Sequence, residues 1–157
     1  MSALVKQLSH KLKQTNNVLT TAESCTGGMI AAAITDLSGS SAIFDRGFVT
    51  YSNQSKMDLL AVPNETLSQH GAVSKQTASY MAQGALKNAQ ATIAVSVTGI
   101  AGPTGNTPDK PVGLVFIGLA QTGKPTIVIK NIFKGDRASI RQQTVETAFE
   151  LILEHLD

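Results

Sequence analysis

In the stretch TTAESCTGG, residues 20–28, Ser24 and Cys25 stand side by side just ahead of two glycines. Either side chain can attack a carbonyl carbon. The hydroxyl needs a base to take its proton; the thiol is the better nucleophile, especially if a helix terminus lowers its pKa. If the stretch joins a strand to a helix, the amides of Thr26, Gly27 and Gly28 belong to a helix start, where N–H groups lack partners and can receive an oxyanion. Glycines there let a substrate come close to the backbone. Plainer roles also exist: Ser24 as a helix-capping hydroxyl, and Cys25 as a small apolar core residue. Neighbouring side chains point in different directions, so at most one of the two reaches a given carbon. The pattern is not G-x-S-x-G, so the hydrolase elbow of that type does not apply.

A base is offered by TYSNQSK, residues 50–56. With Asn53 as the N-cap, Lys56 falls in the first turn of a helix, where a positive charge is disfavoured. Partial burial adds to this and favours the neutral amine, a usable base. Tyr51, at the strand exit before the turn, could relay a proton or hold the lysine through its hydroxyl. The ordinary alternative is a solvated Lys56 with Tyr51 at the edge of an amphipathic core. His10, His70 and His155 form no His–Asp or metal-type pairing, and Cys25 has no cysteine partner, so no structural zinc site is expected. The missing histidine relay modestly strengthens a serine–lysine reading.

The stretch VTGIAGPTG, residues 97–105, places turns and backbone donors at another strand exit, suited to an anion or a ribose. It lacks the G-K-[ST] ending of a P-loop and the G-x-G-x-x-G pattern, and a flexible connection explains it equally well. Arg137 follows Gly135 and Asp136 at a further junction, where a guanidinium can grip a phosphate bidentately. Arg141 lies one helical turn on, so the two define one basic edge; a surface ion pair is the alternative use.

These residues must be positioned by the elements around them. Leu4, Val5, Leu8 and Leu12 recur at helical spacing over the first fourteen residues, with Asn16 and Asn17 ending the helix. VLTTA reads as a strand, GMIAAAITDL as a close-packing helix, and GFVTY as a second strand. A helix over NQSKMDLLAV follows, then a short one between Pro63 and Gly71, then a long one capped by Ser74 and running to about residue 89. ATIAVSVTG is a strand buried on both faces, and GLVFIGLAQ and TIVIKNIFK form a hairpin across TGKP. Asp136 caps a last helix whose buried side carries Ile140, Thr144, Ala148, Leu151 and Ile152. Helices alternating with apolar strands predict a three-layer α/β fold, a mixed sheet flanked by helices, with residues 1–157 as one domain. The stretches AESCTGG, TYSNQSK and VTGIAGPTG then sit at strand exits, where ligands of open α/β sheets bind.

Composition sets outer limits. The 157 residues suffice for one core; 42% hydrophobic and 15% charged residues exclude a disordered chain or a coiled coil. Only 4% are aromatic and the net charge is +2, from 13 basic and 11 acidic side chains without a dense run, so no nucleic-acid partner is expected. A single cysteine fits a reducing compartment, and MSALVKQLSHKLKQ has no apolar run long enough for export or membrane spanning, so the expectation is a cytoplasmic protein.

Taken together, TTAESCTGG, FDRGFVTYSNQSK, HGAVS, SVTGIAGPTG, KPVG and GDR resemble the CinA C-terminal domain family, in its stand-alone form, over nearly the whole chain. The resemblance implies an α/β domain that associates as a homodimer. It also implies hydrolysis of the carboxamide of nicotinamide mononucleotide to nicotinic acid mononucleotide and ammonia, in pyridine nucleotide salvage, without metal or cofactor. On matching positions it makes Ser24 the nucleophile, Lys56 the general base and Tyr51 its proton-transfer or positioning partner. Thr26, Gly27 and Gly28 then supply oxyanion donors, Thr98 and Gly99 border the nicotinamide or ribose, and Arg137 and Arg141 attract the phosphate. Asn106 stands where relatives often carry a second glycine; asparagine tolerates left-handed backbone, so the loop can keep its shape. Two other functions stay open: a noncatalytic nucleotide-binding regulatory domain, and an amidase centred on Cys25.

Overall fold

A computed structural model describes residues 1–157. Five strands, β1 (Leu19–Glu23), β2 (Phe44–Val49), β3 (Ile93–Gly99), β4 (Leu114–Gln121) and β5 (Ile127–Ile132), form one sheet in the order β2-β1-β3-β4-β5. β1 pairs in parallel with β2 and β3, while β3, β4 and β5 pair antiparallel in turn. The sheet is therefore mixed, as expected. Six helices surround it: α1 (Ser2–Gln14), α2 (Met29–Thr35), α3 (Asn53–Leu60), α4 (Asn64–His70), α5 (Lys75–Lys87) and α6 (Arg137–Glu154).

The core divides into two unequal parts. On one face the aliphatic side chains of α1, α2 and α6, among them Leu8, Leu12, Ile30, Ile34, Phe149 and Ile152, pack on Leu19, Val95, Val97 and Ile117. On the other face α3, α4 and α5 lie over a thinner layer of small residues: Ala22, Ala82, Ala85, Ala94 and Ala120, with Leu60 and Met81. This second layer sits close to the sheet. Ser96 Oγ of β3 donates to Ala78 O of α5 at 2.6 Å. Gly84 of α5 faces the Leu60 carbonyl so closely that a Cβ there would collide with backbone.

The strand order fixes where a ligand can enter. From β1 the chain steps outward through α2 to β2, then returns across α3, α4 and α5 to place β3 on the other side of β1. The crevice at the carboxyl ends of β1 and β3 is thus a topological switch point. β5 also ends on this side, because it runs antiparallel to β4, and it delivers the start of α6 there.

Some boundaries differ from the sequence reading. β2 begins at Phe44, preceded by a 3-10 turn over Ser40–Ala42, and pairing stops at Val49. β2 is an edge strand with mostly exposed residues, so alternation gave little signal before GFV. The cap of α3 is Ser52, whose side chain accepts from Ser55 N at 3.1 Å, and not Asn53. Ser74 and Asp136 cap α5 and α6 as expected, accepting from Thr77 N and Ser139 N.

Because α5 meets the end of α3 backbone to backbone, Gly84→Ala should force the two helices apart. The expected loss is about 1–3 kcal/mol, the usual cost of overpacking, read as a lower urea or thermal midpoint.

Candidate active site

Ser24 is the first residue beyond β1, and its amide still donates to Val97 O of β3 at 3.0 Å. Its side chain opens onto a cleft of about 370 Å³ at the switch point. Across the cleft Thr50 N donates to Glu23 O at 2.9 Å, which ties the exit of β2 to that of β1. The chain then turns at Ser52 into α3, and Lys56 lies one turn along it. Helical side chains lean toward the N-terminus, so the amine folds back over the turn that precedes it.

The amine reaches three oxygens. Lys56 Nζ stands 2.9 Å from Ser24 Oγ, 2.7 Å from Thr50 O and 3.2 Å from Tyr51 O. Lys56 is only 1% exposed, and no carboxylate lies within ion-pairing distance of it. Burial disfavours the ammonium and lowers its pKa from 10.5 to about 8. The geometry then orients the lone pair. A carbonyl can only accept, so the two N–H groups of the neutral amine go to Thr50 O and Tyr51 O. The lone pair is left facing the Ser24 hydroxyl, which donates its proton along that line. Of the two causes read from the sequence, burial and not the first-turn position is the one that lowers the pKa.

Cys25 faces the same cleft without becoming a second nucleophile. Its thiol is buried, which pushes its pKa up to about 12. A thiol held protonated, with no base in hydrogen-bond contact, is inert.

The other expected residues divide into those at the cleft and those behind it. Tyr51 lines the cleft, yet its side chain is 66% exposed and its hydroxyl bonds to nothing in the protein; the contact to Lys56 comes from its carbonyl. Thr98 and Gly99 also line the cleft, with the Thr98 hydroxyl donating to Ala72 O at 2.8 Å. Arg137 lines the cleft as well; its Nη1 donates to Gly102 O at 2.8 Å and the remaining guanidinium N–H groups are free of protein acceptors. Thr26, Gly27, Gly28 and Arg141 do not line it. Thr26 Oγ1 donates to Glu23, and the Gly27 amide closes a turn onto Ser24 O. Arg141 is turned beneath the loop, with Nε and Nη2 donating to Cys25 O and Thr26 O, both at 3.1 Å. Arg137 and Arg141 therefore do not form one basic edge: the first faces the cleft and the second faces the backbone.

The sequence points to the Thr26 amide as an oxyanion donor but passes over that of Cys25. The amides of Cys25 and Thr26 have no acceptor within the protein. The amide of the residue after the nucleophile is a usual oxyanion donor, so the Cys25 position could have been inferred once Ser24 was chosen. Along the loop after β3, the amides of Ala101, Gly102, Thr104 and Gly105 are likewise unpaired and border the cleft. Lys110 Nζ, donating to His70 O, fastens that loop to the end of α4. The spacing of GIAGPTG suggested such donors but not the side they would face.

A serine hydroxyl joined to a buried lysine of lowered pKa, with free amides beside it, is the arrangement that a serine–lysine hydrolase on a mixed α/β sheet would use. The chain belongs to the CinA family: the CinA C-terminal domain model matches residues 1–156. It is 48% identical over 149 residues to the nicotinamide-nucleotide amidohydrolase PncC of Escherichia coli K12, covering 95% of this chain and 90% of that one. It is 55% identical over 141 residues to a CinA-like protein of Endomicrobium trichonymphae, covering 90% of this chain but 33% of that longer one. The crystal structure of the competence/damage inducible protein CihA from Agrobacterium tumefaciens superposes with a TM-score of 0.95 at 45% identity, over 98% of this chain and 93% of that one.

With a base of pKa about 8, kcat/KM should rise roughly tenfold per pH unit on the acid side and level off above the midpoint. A plateau already reached near pH 6 would remove Lys56 as the base. Stability carries the same signature. Lys56 binds a proton more weakly in the folded chain, so unfolding takes up a proton between pH 8 and 10.5. Folding stability from this group therefore rises with pH across that window, and Lys56→Met should flatten the rise. Ser24→Ala should lower turnover by at least about 1,000-fold, while Cys25→Ala should leave most of it.

Proposed function

We propose that the protein hydrolyses the carboxamide of nicotinamide mononucleotide, releasing ammonia and nicotinic acid mononucleotide, as a step of pyridine nucleotide salvage. The observation that carries this is the 2.9 Å contact between Lys56 Nζ and Ser24 Oγ, in a chain so similar to a nicotinamide-nucleotide amidohydrolase. Ser24 Oγ attacks the carboxamide carbon as its proton passes to Lys56, and the carbonyl π electrons move onto oxygen. The unpaired amide of Cys25, a residue that lines the cleft, receives that oxygen. Lys56 returns the proton to the amide nitrogen, the C–N bond breaks, and ammonia leaves an ester on Ser24. Water then attacks the ester with Lys56 again accepting a proton. Collapse restores the serine and yields the carboxylate.

The rest of the cleft suits the nucleotide. Arg137 and the free amides of the loop from Ala101 to Gly105 supply donors for the phosphate. Remote binding of that kind orients an unreactive amide for attack. Tyr51 is the one aromatic ring of the cleft; its face can lie against the positively charged pyridinium. Its part is thus ring positioning, rather than the proton relay expected of its hydroxyl. Arg141, bound to two carbonyls, serves the loop and not the phosphate. A regulatory nucleotide-binding role leaves the buried amine unexplained, and a cysteine mechanism conflicts with the raised pKa of Cys25.

We take residues 1–157 as one amidohydrolase domain acting in the cytoplasm as a homodimer. Its lone cysteine suits a reducing compartment, and no helix is long and apolar enough to cross a membrane. Val49, Tyr51 and Leu59 leave apolar surface exposed near the free edge of β2, where a second copy can cover it.

Purified protein given nicotinamide mononucleotide should release ammonia and the acid nucleotide in equal amounts; neither product appearing would refute the assignment. Arg137→Met should raise KM for the nucleotide by about 10–100-fold, the worth of a charge-assisted contact. It should leave cleavage of the riboside, which lacks the phosphate, nearly unchanged.

A further inference from the structure

Glu23 takes no direct part in the chemistry above, yet it is 1% exposed and immediately precedes the nucleophile. All its partners are neutral. Oε1 accepts from Thr26 Oγ1 at 2.7 Å and from Ile30 N at 2.8 Å, and Oε2 accepts from Ala31 N at 3.1 Å. No cation lies within ion-pairing distance. Burying a carboxylate without a counter-ion is costly, and a neutral serine or asparagine at the N-cap would serve α2 more simply. That position is instead Gly28, at φ 106°, which makes no side-chain cap. The helix start is capped from upstream, by the residue before Ser24.

We propose that Glu23 is a positioning residue for the reaction: together with Arg141 it clamps the turn from Ser24 to Gly28 and so aims both the nucleophile and the oxyanion donor that follows it. This rests on Ser24 being the nucleophile. Successive side chains of a strand point to opposite faces. Anchoring Glu23 in the α2 layer therefore turns Ser24 toward the α3 layer, where Lys56 waits. Arg141 holds the other side of the turn, with its guanidinium on the carbonyls of Cys25 and Thr26 and Nη2 packed under Gly27. Drawing the Cys25 carbonyl toward α6 fixes the orientation of Cys25, a residue that lines the cleft, and with it the direction of its own N–H. That N–H is one of those without a protein acceptor. A glutamate on one side and an arginine on the other thus set the direction of the groups that do the chemistry, without touching substrate.

The test uses Glu23→Gln, of the same size, and Thr26→Val, which removes one of the three donors and leaves the carboxylate in place. Each is assayed for kcat and KM on nicotinamide mononucleotide, for the pH midpoint, and for labelling of Ser24 by a fluorophosphonate, with Ser24→Ala as the control. Glu23→Gln should lower kcat and the labelling rate together, by about 100-fold, as expected for a reacting group displaced by an ångström. KM and the pH midpoint should hold, and labelling should still reach one per chain. Thr26→Val should show the same pattern at about tenfold. A merely structural role would instead reduce the labelled fraction and leave the rate per labelled site intact, and that result overturns the proposal. So does an unchanged labelling rate in both variants. If Glu23→Gln fails to fold, Thr26→Val decides. No labelling of wild-type Ser24 would overturn the serine mechanism and the clamp together; wild-type labelling with full-rate variants overturns the clamp alone.

Discussion

The burial of one amine governs this structure. Lys56 is held out of water at a position where an ammonium would have no anionic partner, and the cost of that charge lowers its pKa to about 8. Much else follows from keeping it there. Its hydrogen-bond needs are met by Thr50 O and Tyr51 O, so the β2 exit must come within reach of α3. The alanine-rich layer under α3 and α5 brings helix and sheet close enough for a lysine stem to span from one to the other. Fully solvated, the same amine would stay protonated and leave Ser24 an ordinary hydroxyl.

The site is assembled from both faces of the sheet. Lys56 arrives from the α3 side, while the turn bearing Ser24 is fastened from the α2 and α6 side by Glu23 and Arg141. Ser24 stands at the sheet's upper rim, where the two layers meet. A parallel pair, β1 and β3, offers a gap there because the chain leaves β1 in one direction and returns on the other. The larger aliphatic core beneath α1, α2 and α6 gives the turn a rigid footing. The thinner layer opposite gives the lysine its reach.

Adjacent residues with similar chemistry are separated by environment. Ser24 and Cys25 differ by one position, yet only Ser24 meets the amine; burial keeps the Cys25 proton in place. Arg137 and Arg141 differ by one helical turn, and one opens to the cleft while the other is bound to backbone. In each pair intrinsic reactivity is secondary to which groups lie within hydrogen-bonding distance.

The sequence by itself determined the alternation of helices and strands, the caps at Ser74 and Asp136, the mixed sheet, and the grouping of Ser24, Lys56 and the GIAGPTG loop at strand exits. Those features are local: periodicity, capping residues and turn chemistry act over a few positions. It also supplied the family, because motifs spread along the chain keep their order. The residues alone left open whether serine or cysteine attacks, while the resemblance named Ser24. The sequence pointed to Asn53 in place of the Ser52 cap, and it did not show that Arg141 binds backbone or that the Tyr51 hydroxyl has no partner in the protein. Glu23 passed unremarked, since an acidic residue at a strand end carries no pattern. Tertiary structure decided which groups meet, because that depends on burial and on contacts between distant segments. The 32 positions between Ser24 and Lys56 close to a hydrogen bond only when β1 and α3 are packed together.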